Sequence, residues 1–298
     1  SSAASDVYKR QDNNGLITKL DLENYYPVWR KPLISQYRGN NVITMGPPSS
    51  GGLHIIQMLN ILENYDLKEI NHNSKEYINL LTEVMKYAYS DRSKYLGDPD
   101  FYDVPVEKIT SKNYGKRIFN DIEIGQSKPV GEVKPGMYLE TESHETTHFS
   151  VADADGNIVS STYTLNSTFG SGVVIKGTGI VMNNEMDDFS AAPGIPNQFN
   201  LLGAEANEIA PNKRPLSSMT PTIVMKNNEL FFTTGSPGGS RIISAVLQSI
   251  LNIIDFDMNL EETTKARRIH HQWFPDILEV EYSPVSYTHL TLPTIYSV

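Results

Sequence analysis

The chain has no cysteine among its 298 residues. Thiol nucleophiles, disulfides and cysteine-based zinc sites are therefore excluded. It also has no run of about 18 apolar residues, the length a membrane-crossing helix requires. Basic residues are in the minority, 25 Lys and Arg against 35 Asp and Glu, for a net charge of −10. The acidic residues are spread along the chain, and no clustered basic face of the kind that binds nucleic acid can be read from it. The hydrophobic share, 39%, suffices for one sizeable core or two modest ones.

The two ends, residues 1–11 (SSAASDVYKRQ) and 285–298 (VSYTHLTLPTIYSV), fit no element around them. They read as non-native tails left by read-through. Residues 12–284 are then the native portion, expected to be part of a longer protein. The stretch from Asn13 to Tyr37 is polar and irregular, with one short helix expected in LITKLDLENYY. NVITM predicts a strand over 41–45, stopped by Gly-Pro-Pro. After SSGG, apolar residues at Leu53, Ile56, Leu59 and Leu62 predict a helix. Asn73 with Glu76 has capping-box spacing and predicts the start of a second helix. Residues 97–145 are rich in Pro, Gly and Lys and read as a linker, with a short helix near 113–120.

Beyond Thr146 the pattern changes to strands. THFSVAD and NIVSSTYTL alternate around DADG, which predicts a hairpin. GTGIVMNN (177–184) predicts another strand. SSMTPTIVMKNNELFFTTGS predicts a second hairpin turning at Asn-Asn, and SPGGSR opens a helix over IISAVLQSILNII. Alternating strands flanked by long helices suggest a sheet layered with helices rather than a doubly wound repeat.

Several constellations could carry chemistry, each with a plainer structural reading beside it. Thr146, in ETTHFSV, lies where a linker meets a strand. Threonine favours strands in any case, but a threonine at a chain terminus has its own base in the α-amine. Scission between Glu145 and Thr146 would create that terminus. Thr164 and Asn166, in TLN, return beside Thr146 if the hairpin forms; a cross-strand Thr–Thr pair would look the same. NNEMDDF offers Glu185, Asp187 and Asp188 to an ammonium or a metal, or forms a solvated acidic turn; it fits no EF-hand loop. Ser217 and Ser218 could hold a carboxylate. Gly238 and Gly239, ahead of a long helix, form an oxyanion loop or a plain turn, and PPSSGG (47–52) looks alike. His270 and His271 are sequence neighbours, which disfavours a metal pair, and they read as structural or interface residues.

Taken in order, PPSSGG, YAYSDRSKYLGDPDF, ETTHFSV, DGNIVSSTYTLNSTFGSG, MNNEMDDFS, PNKRPLSSMTPTIV, TGSPGGSRII and HHQWFPD resemble the γ-glutamyltransferase (γ-glutamyltranspeptidase) family, most of all its bacterial members. The resemblance runs from about residue 13 to 284. It implies an α+β fold of the N-terminal nucleophile hydrolase type, a four-layer αββα sandwich, incomplete here. It implies a precursor that cuts itself between Glu145 and Thr146. Residues 12–145 would be the end of a large subunit and 146–284 the start of a small one. Thr146 would then be the nucleophile toward γ-glutamyl compounds such as glutathione, with water, an amino acid or a dipeptide as acceptor. Thr164 would orient it. Asn166, Glu185 and Asp188 would hold the substrate ammonium, Ser217 and Ser218 its α-carboxylate, and Gly238 and Gly239 the oxyanion. Residues 191–203 would be a lid. No cofactor, metal, nucleic acid or membrane span is implied, and the expected location is periplasmic or extracellular.

The chain departs from the family pattern in places. The upstream arginine that clamps the substrate α-carboxylate is absent, and no arginine here takes its role. Glu185 stands where relatives also carry Gln. Phe199 stands where some bacterial lids carry Tyr, so such a gate would close by packing alone. Two alternatives stay open: a related acylase acting on poly-γ-glutamate or a β-lactam side chain, and a fragment that is inactive because the arginine and part of the sheet are missing.

Overall fold

Strands β1 (Leu33–Tyr37) and β2 (Asn40–Thr44) make a tight hairpin, turning at Arg38 and Gly39, both with positive φ. Strands β5 (Thr222–Lys226) and β6 (Glu229–Thr234) make another, turning at Asn227 and Asn228, with φ of 54° and 66°. Two consecutive left-handed residues match the right-handed twist of the flanking strands. The hairpins join through β2 and β5 into one antiparallel sheet, order β1-β2-β5-β6. The structure, a computed structural model, describes residues 16–133, 146–192, 194–281 and the backbone of 295–297. The tail at 1–11 and Glu145, of the expected scission site, lie outside the described residues. Of the tail at 285–298, only the backbone of 295–297 is described.

One face of the sheet carries Tyr37, Val42, Val224 and Phe232 into the core. Three helices cover it: α1 (Gly51–Leu62), α2 (Lys75–Tyr95) and α4 (Arg241–Ile254). All twelve residues of α1 are buried. A helix with no solvated face must approach its neighbours closely, and the pair Gly51–Gly52 allows this. A β-carbon on Gly51 would run into the Thr220 side chain, and one on Gly52 into the Met45 carbonyl. Helix α2 starts one residue later than the capping box predicts. Ser74 is the cap, accepting from the Tyr77 amide at 3.1 Å, while Asn73 sits left-handed at φ 55°.

The hairpin of β3 (Thr147–Ala152) and β4 (Ile158–Tyr163) forms as predicted and lies on the other face of the sheet. Its inward side is polar, with Ser150 Oγ 3.2 Å from Thr233 Oγ1. Its outward side carries Phe149, Val151, Val159 and Tyr163, all exposed. Helices, sheet and hairpin make three layers of an α+β fold, and the expected fourth layer is not present among the described residues.

Two expectations are corrected. Residues 177–184 form no strand: Val174 and Val181 make one isolated bridge, and Gly177 and Gly179 turn the chain at positive φ. Residues 97–133 are packed rather than a loose linker. Helix α3 (Lys112–Phe119) lies against α1, with Ile118, Ile122 and Val133 in the main core. Strand β1 and the short helix Leu260–Lys265 were not foreseen. Near the end of the chain, β7 (Ile269–His270) pairs with β8 (Leu278–Val280), which pairs with the backbone of β9 (Ile295–Ser297).

The stretch before residue 134 is held by buried polar groups. Lys86 Nζ donates to Glu83 Oε1 and Ser127 Oγ, both at 2.9 Å, and to the Lys128 carbonyl at 2.7 Å. Trp273 Nε1 donates to the Val133 carbonyl at 2.6 Å. Removing one partner of a buried ion pair leaves the other charged and uncompensated. Lys86→Met is therefore expected to destabilise the chain by about 3–5 kcal/mol, read from the shift of the urea midpoint. A midpoint unchanged from the parent would show that the pair carries no such weight.

Candidate active site

The hairpin register pairs Thr147 with Tyr163. Thr146 and Thr164 therefore stand opposite each other at its open end, on the inward side that also carries His148. That side is pinned close to β6, because a β-carbon on Gly235 would fall within the His148 ring. The Asn166 amide donates to Thr164 Oγ1 at 2.8 Å, which fixes that hydroxyl. Asn166 itself is buried and left-handed, at φ 75°.

The acidic segment is held rather than solvated. Asn184 Oδ1 accepts from the Ser167 amide at 3.0 Å, and the Asn184 carbonyl accepts from Asn166 Nδ2. A 3-10 turn then spans Glu185–Asp188. The Asp188 carbonyl accepts from Asn207 Nδ2 at 2.7 Å, and Asn207 Oδ1 accepts from the Leu216 amide at 3.0 Å. Asp187 is turned to a structural task, accepting from the Gln198 amide at 2.8 Å. The chain of bonds from Asn166 to Leu216 thus sets the carboxylates beside the two serines.

Ser217 and Ser218 are placed by PPSSGG. The Ser50 amide donates to the Ser217 carbonyl at 2.9 Å, and the Ser217 amide to the Pro48 carbonyl at 3.0 Å. Ser49 Oγ donates to the Met219 carbonyl at 2.6 Å. Both Ser49 and Ser50 are fully buried. PPSSGG is thus a clamp on the serine segment, and Ser50 makes no side-chain cap to α1, unlike the serine-capped turn of the plainer reading.

One cleft is lined by Thr146, Thr164, Asn166, Asp188, Ser217, Ser218 and Gly239. Gly238 lines a neighbouring cavity with Arg241 and His270. Glu185 does not line the cleft but touches it through a side-chain hydrogen bond with Asp188. Phe199, from the expected lid, is buried against the glycine loop, and its ring would lie 2.7 Å from a β-carbon on Gly239. With φ of 53° at that residue as well, only glycine fits there without strain.

The cleft also contains Arg92, which the sequence reading missed. A signal was available. On α2 the buried residues Met85, Ala88 and Tyr89 precede Arg92 by seven, four and three, so Arg92 continues the apolar stripe. A charged residue on such a stripe is the informative exception. Burial lowers the Arg92 guanidinium to about 10, against the pull of Asp188, and it remains a cation at neutral pH.

His270 and His271 lie outside the cleft and are buried. His270 Nδ1 is 2.8 Å from Ser244 Oγ. His271 Nε2 faces Asp276 at 3.1 Å, and its Nδ1 accepts from the Trp273 amide. Among the described residues no group of three or more His, Asp or Glu side chains is placed to hold a metal ion.

Burial pushes Asp188 well above the usual carboxylate range, the like charge of Glu185 adds to it, and Arg92 opposes. Glu185 is raised as well, chiefly by burial. The folded state thus binds more protons than the unfolded one between about pH 4 and the raised values of the pair. The pair's contribution to stability is most favourable below that window and falls as pH rises through it. Asp188→Asn removes one of the two like charges. It is expected to flatten the decline and to leave the chain more stable than the parent at pH 7. Urea midpoints at pH 4 and pH 7 test this, and parallel slopes for the two proteins would disprove it.

Comparison with known proteins places the chain in a family. The family model described as gamma-glutamyltranspeptidase matches residues 3–292. The glutathione hydrolase proenzyme of Escherichia coli K12 is 55% identical over 276 residues, 92% of this chain and 48% of that protein. The glutathione hydrolase proenzyme of Pseudomonas aeruginosa is 47% identical over 271 residues, 90% of this chain and 48% of its own length. Among solved structures, the cephalosporin acylase from Bacillus halodurans superposes with a TM-score of 0.76 at 28% identity, covering 94% of this chain and 48% of that one. The chain thus spans about half the length of the relatives it matches, and the shared fold is the α+β layered one of N-terminal nucleophile hydrolases. On its motifs, its fold and these matches, the chain belongs to the γ-glutamyltranspeptidase family.

Proposed function

We propose that this chain carries the nucleophile and most of the substrate-holding groups of a self-processing γ-glutamyl transferase and hydrolase. The observation that carries this reading is the cleft itself. It brings together Thr146, Thr164, Asn166, Asp188 and the Ser217–Ser218 pair from separate parts of the chain. The relatives' designation as proenzymes supports the processing step.

In this reading, Thr146 Oγ attacks the Glu145 carbonyl and the peptide nitrogen leaves as the Thr146 α-amine. Water opens the resulting ester, leaving a carboxylate on Glu145 and a free hydroxyl on Thr146. The two pieces stay together, because β2 before the cut pairs with β5 after it. The new amine, with an ordinary value of about 8, accepts the Oγ proton as the hydroxyl attacks the γ-carbonyl of a γ-glutamyl compound. The backbone at Gly239, which borders the cleft, supplies the donor toward the developing oxyanion in this reading. Collapse expels the amine product, which takes the proton, and leaves a γ-glutamyl ester on Thr146. Water or the amine of an amino acid or dipeptide then displaces the ester.

The hydroxyl pair suits a carboxylate. Ser217 Oγ accepts from the Met219 amide at 3.1 Å and Ser218 Oγ accepts from Arg92 at 3.2 Å. Each oxygen thus accepts one bond from the protein, and each hydroxyl still has a proton to donate to an anion. Asp188 and Glu185 supply the complement for an ammonium. Together they describe the two charged ends of an α-amino acid.

Intact mass and N-terminal sequencing after incubation test the first step. The expected product begins TTHFSV, and Thr146→Ala is expected to abolish it. Release of glutamate from glutathione should fall on the order of 10⁴-fold in that variant. Scission that persists in Thr146→Ala would remove Thr146 from the role. Preference for a cephalosporin side-chain amide over glutathione would reassign the substrate to the acylase class.

A further inference from the structure

The guanidinium of Arg92 lines the cleft and is bonded to the serines there. Its Nε donates to Ser50 Oγ at 3.0 Å and its Nη2 to Ser218 Oγ at 3.2 Å. Ser50 Oγ in turn donates to the Ser217 carbonyl at 2.8 Å. Arginine only donates, in a planar fork with fixed directions. Each serine oxygen it reaches must therefore act as acceptor toward it and send its single proton elsewhere. For Ser50 that proton goes to the Ser217 carbonyl. For Ser218, which lines the cleft, the remaining direction is toward a ligand.

We propose that Arg92 is a positioning residue that sets the Ser218 hydroxyl as a donor toward a ligand carboxylate and ties it, through Ser50, to the Ser217 backbone. The inference rests on the reading of the cleft as an α-amino-acid site. Arg92 also places a buried positive charge at the carboxylate end of the cleft, facing Asp188 at the ammonium end. The guanidinium thus marks one end of the cleft and the carboxyl pair the other, an asymmetry that orients a zwitterion. Lysine keeps the charge but cannot span two oxygens in fixed directions, so Arg92→Lys separates charge from geometry.

The test measures binding of L-glutamate and of its α-amide, isoglutamine, to the chain by calorimetry. The two ligands share the ammonium and the γ-carboxylate and differ only at the α-carbon substituent. Wild type should favour glutamate. Arg92→Lys should weaken glutamate about tenfold or more while leaving isoglutamine within about twofold, the selective loss of a charge-assisted hydrogen bond. Ser218→Ala should show the same selective loss, and adding Arg92→Lys to it should cost little more. Ser50→Ala frees one prong of the fork without touching the charge; should Arg92→Lys fail to fold, Ser50→Ala should still narrow the preference for glutamate. If wild type shows no preference, or binds neither ligand, the reading of the cleft falls and this inference with it. If wild type prefers glutamate but Arg92→Lys weakens both ligands equally, or Ser50→Ala leaves the preference unchanged, the cleft reading survives. Arg92 is then only a structural residue and the inference is overturned.

Discussion

The junction between PPSSGG and the Ser217–Met219 segment is the constraint on which the rest depends. It ties a stretch near residue 50 to one near residue 218 through reciprocal backbone bonds and the buried hydroxyls of Ser49 and Ser50. The same junction starts α1 against Thr220, at a distance only glycine permits, and pairs β2 with β5. The described elements before the expected scission point are thereby joined to those after it through the four-stranded sheet and the main core. Two pieces joined in this way share the cost of ordering, since neither hairpin alone has the sheet partner and helical cover that a stable pair of strands requires.

The cleft concentrates electrostatic tension that the core does not relieve. Asp188 and Glu185 are pressed together, and burial opposes the ionisation of both, with the like charge of Glu185 adding to it at Asp188. Arg92 is the nearest compensating charge, but it is itself fully buried and committed to two serines. Arrangements of this kind cluster at functional sites. An ammonium between the carboxylates and a carboxylate on the serines would relieve both ends together. The backbone around these groups is held by the side-chain amides of Asn166, Asn184 and Asn207.

Much of this was legible in the sequence, for identifiable reasons. The β3–β4 hairpin followed from alternation around Asp-Gly, and β5–β6 from Asn-Asn, because both turns demand residues that tolerate positive φ. The site residues came from motif order rather than from any one pattern, since a threonine or a serine pair means little alone. Strand β1 escaped because LISQY mixes polarity on an edge whose outer face is uncovered, leaving Ile34 exposed. Residues 177–184 were misread because GTGIVM has strand composition, while its glycines bend the backbone after one bridge. The packing of 97–133 was hidden by its Pro, Gly and Lys content. Its apolar residues are interspersed with these breakers, and only the fold gathers Ile118, Ile122 and Val133 into the main core and Val104 and Ile109 into a smaller one.

Arg92 escaped for a different reason. Its own neighbours, YSDRSKYL, look like the polar end of a helix, and its partners Ser50 and Ser218 lie 42 and 126 residues away. A charge on a buried stripe is visible in a sequence; what it serves is visible only when distant hydroxyls converge on it. The same holds for PPSSGG and GSPGGSR, which read alike as glycine-rich loops opening helices. In the first, the hydroxyls beside the glycines turn inward to backbone carbonyls and the loop becomes a clamp. In the second, Gly239 borders the cleft that Thr146 lines, and Phe199 seals its far side. Composition sets what a glycine loop can do, and the surface it is pressed against decides which of those things it does.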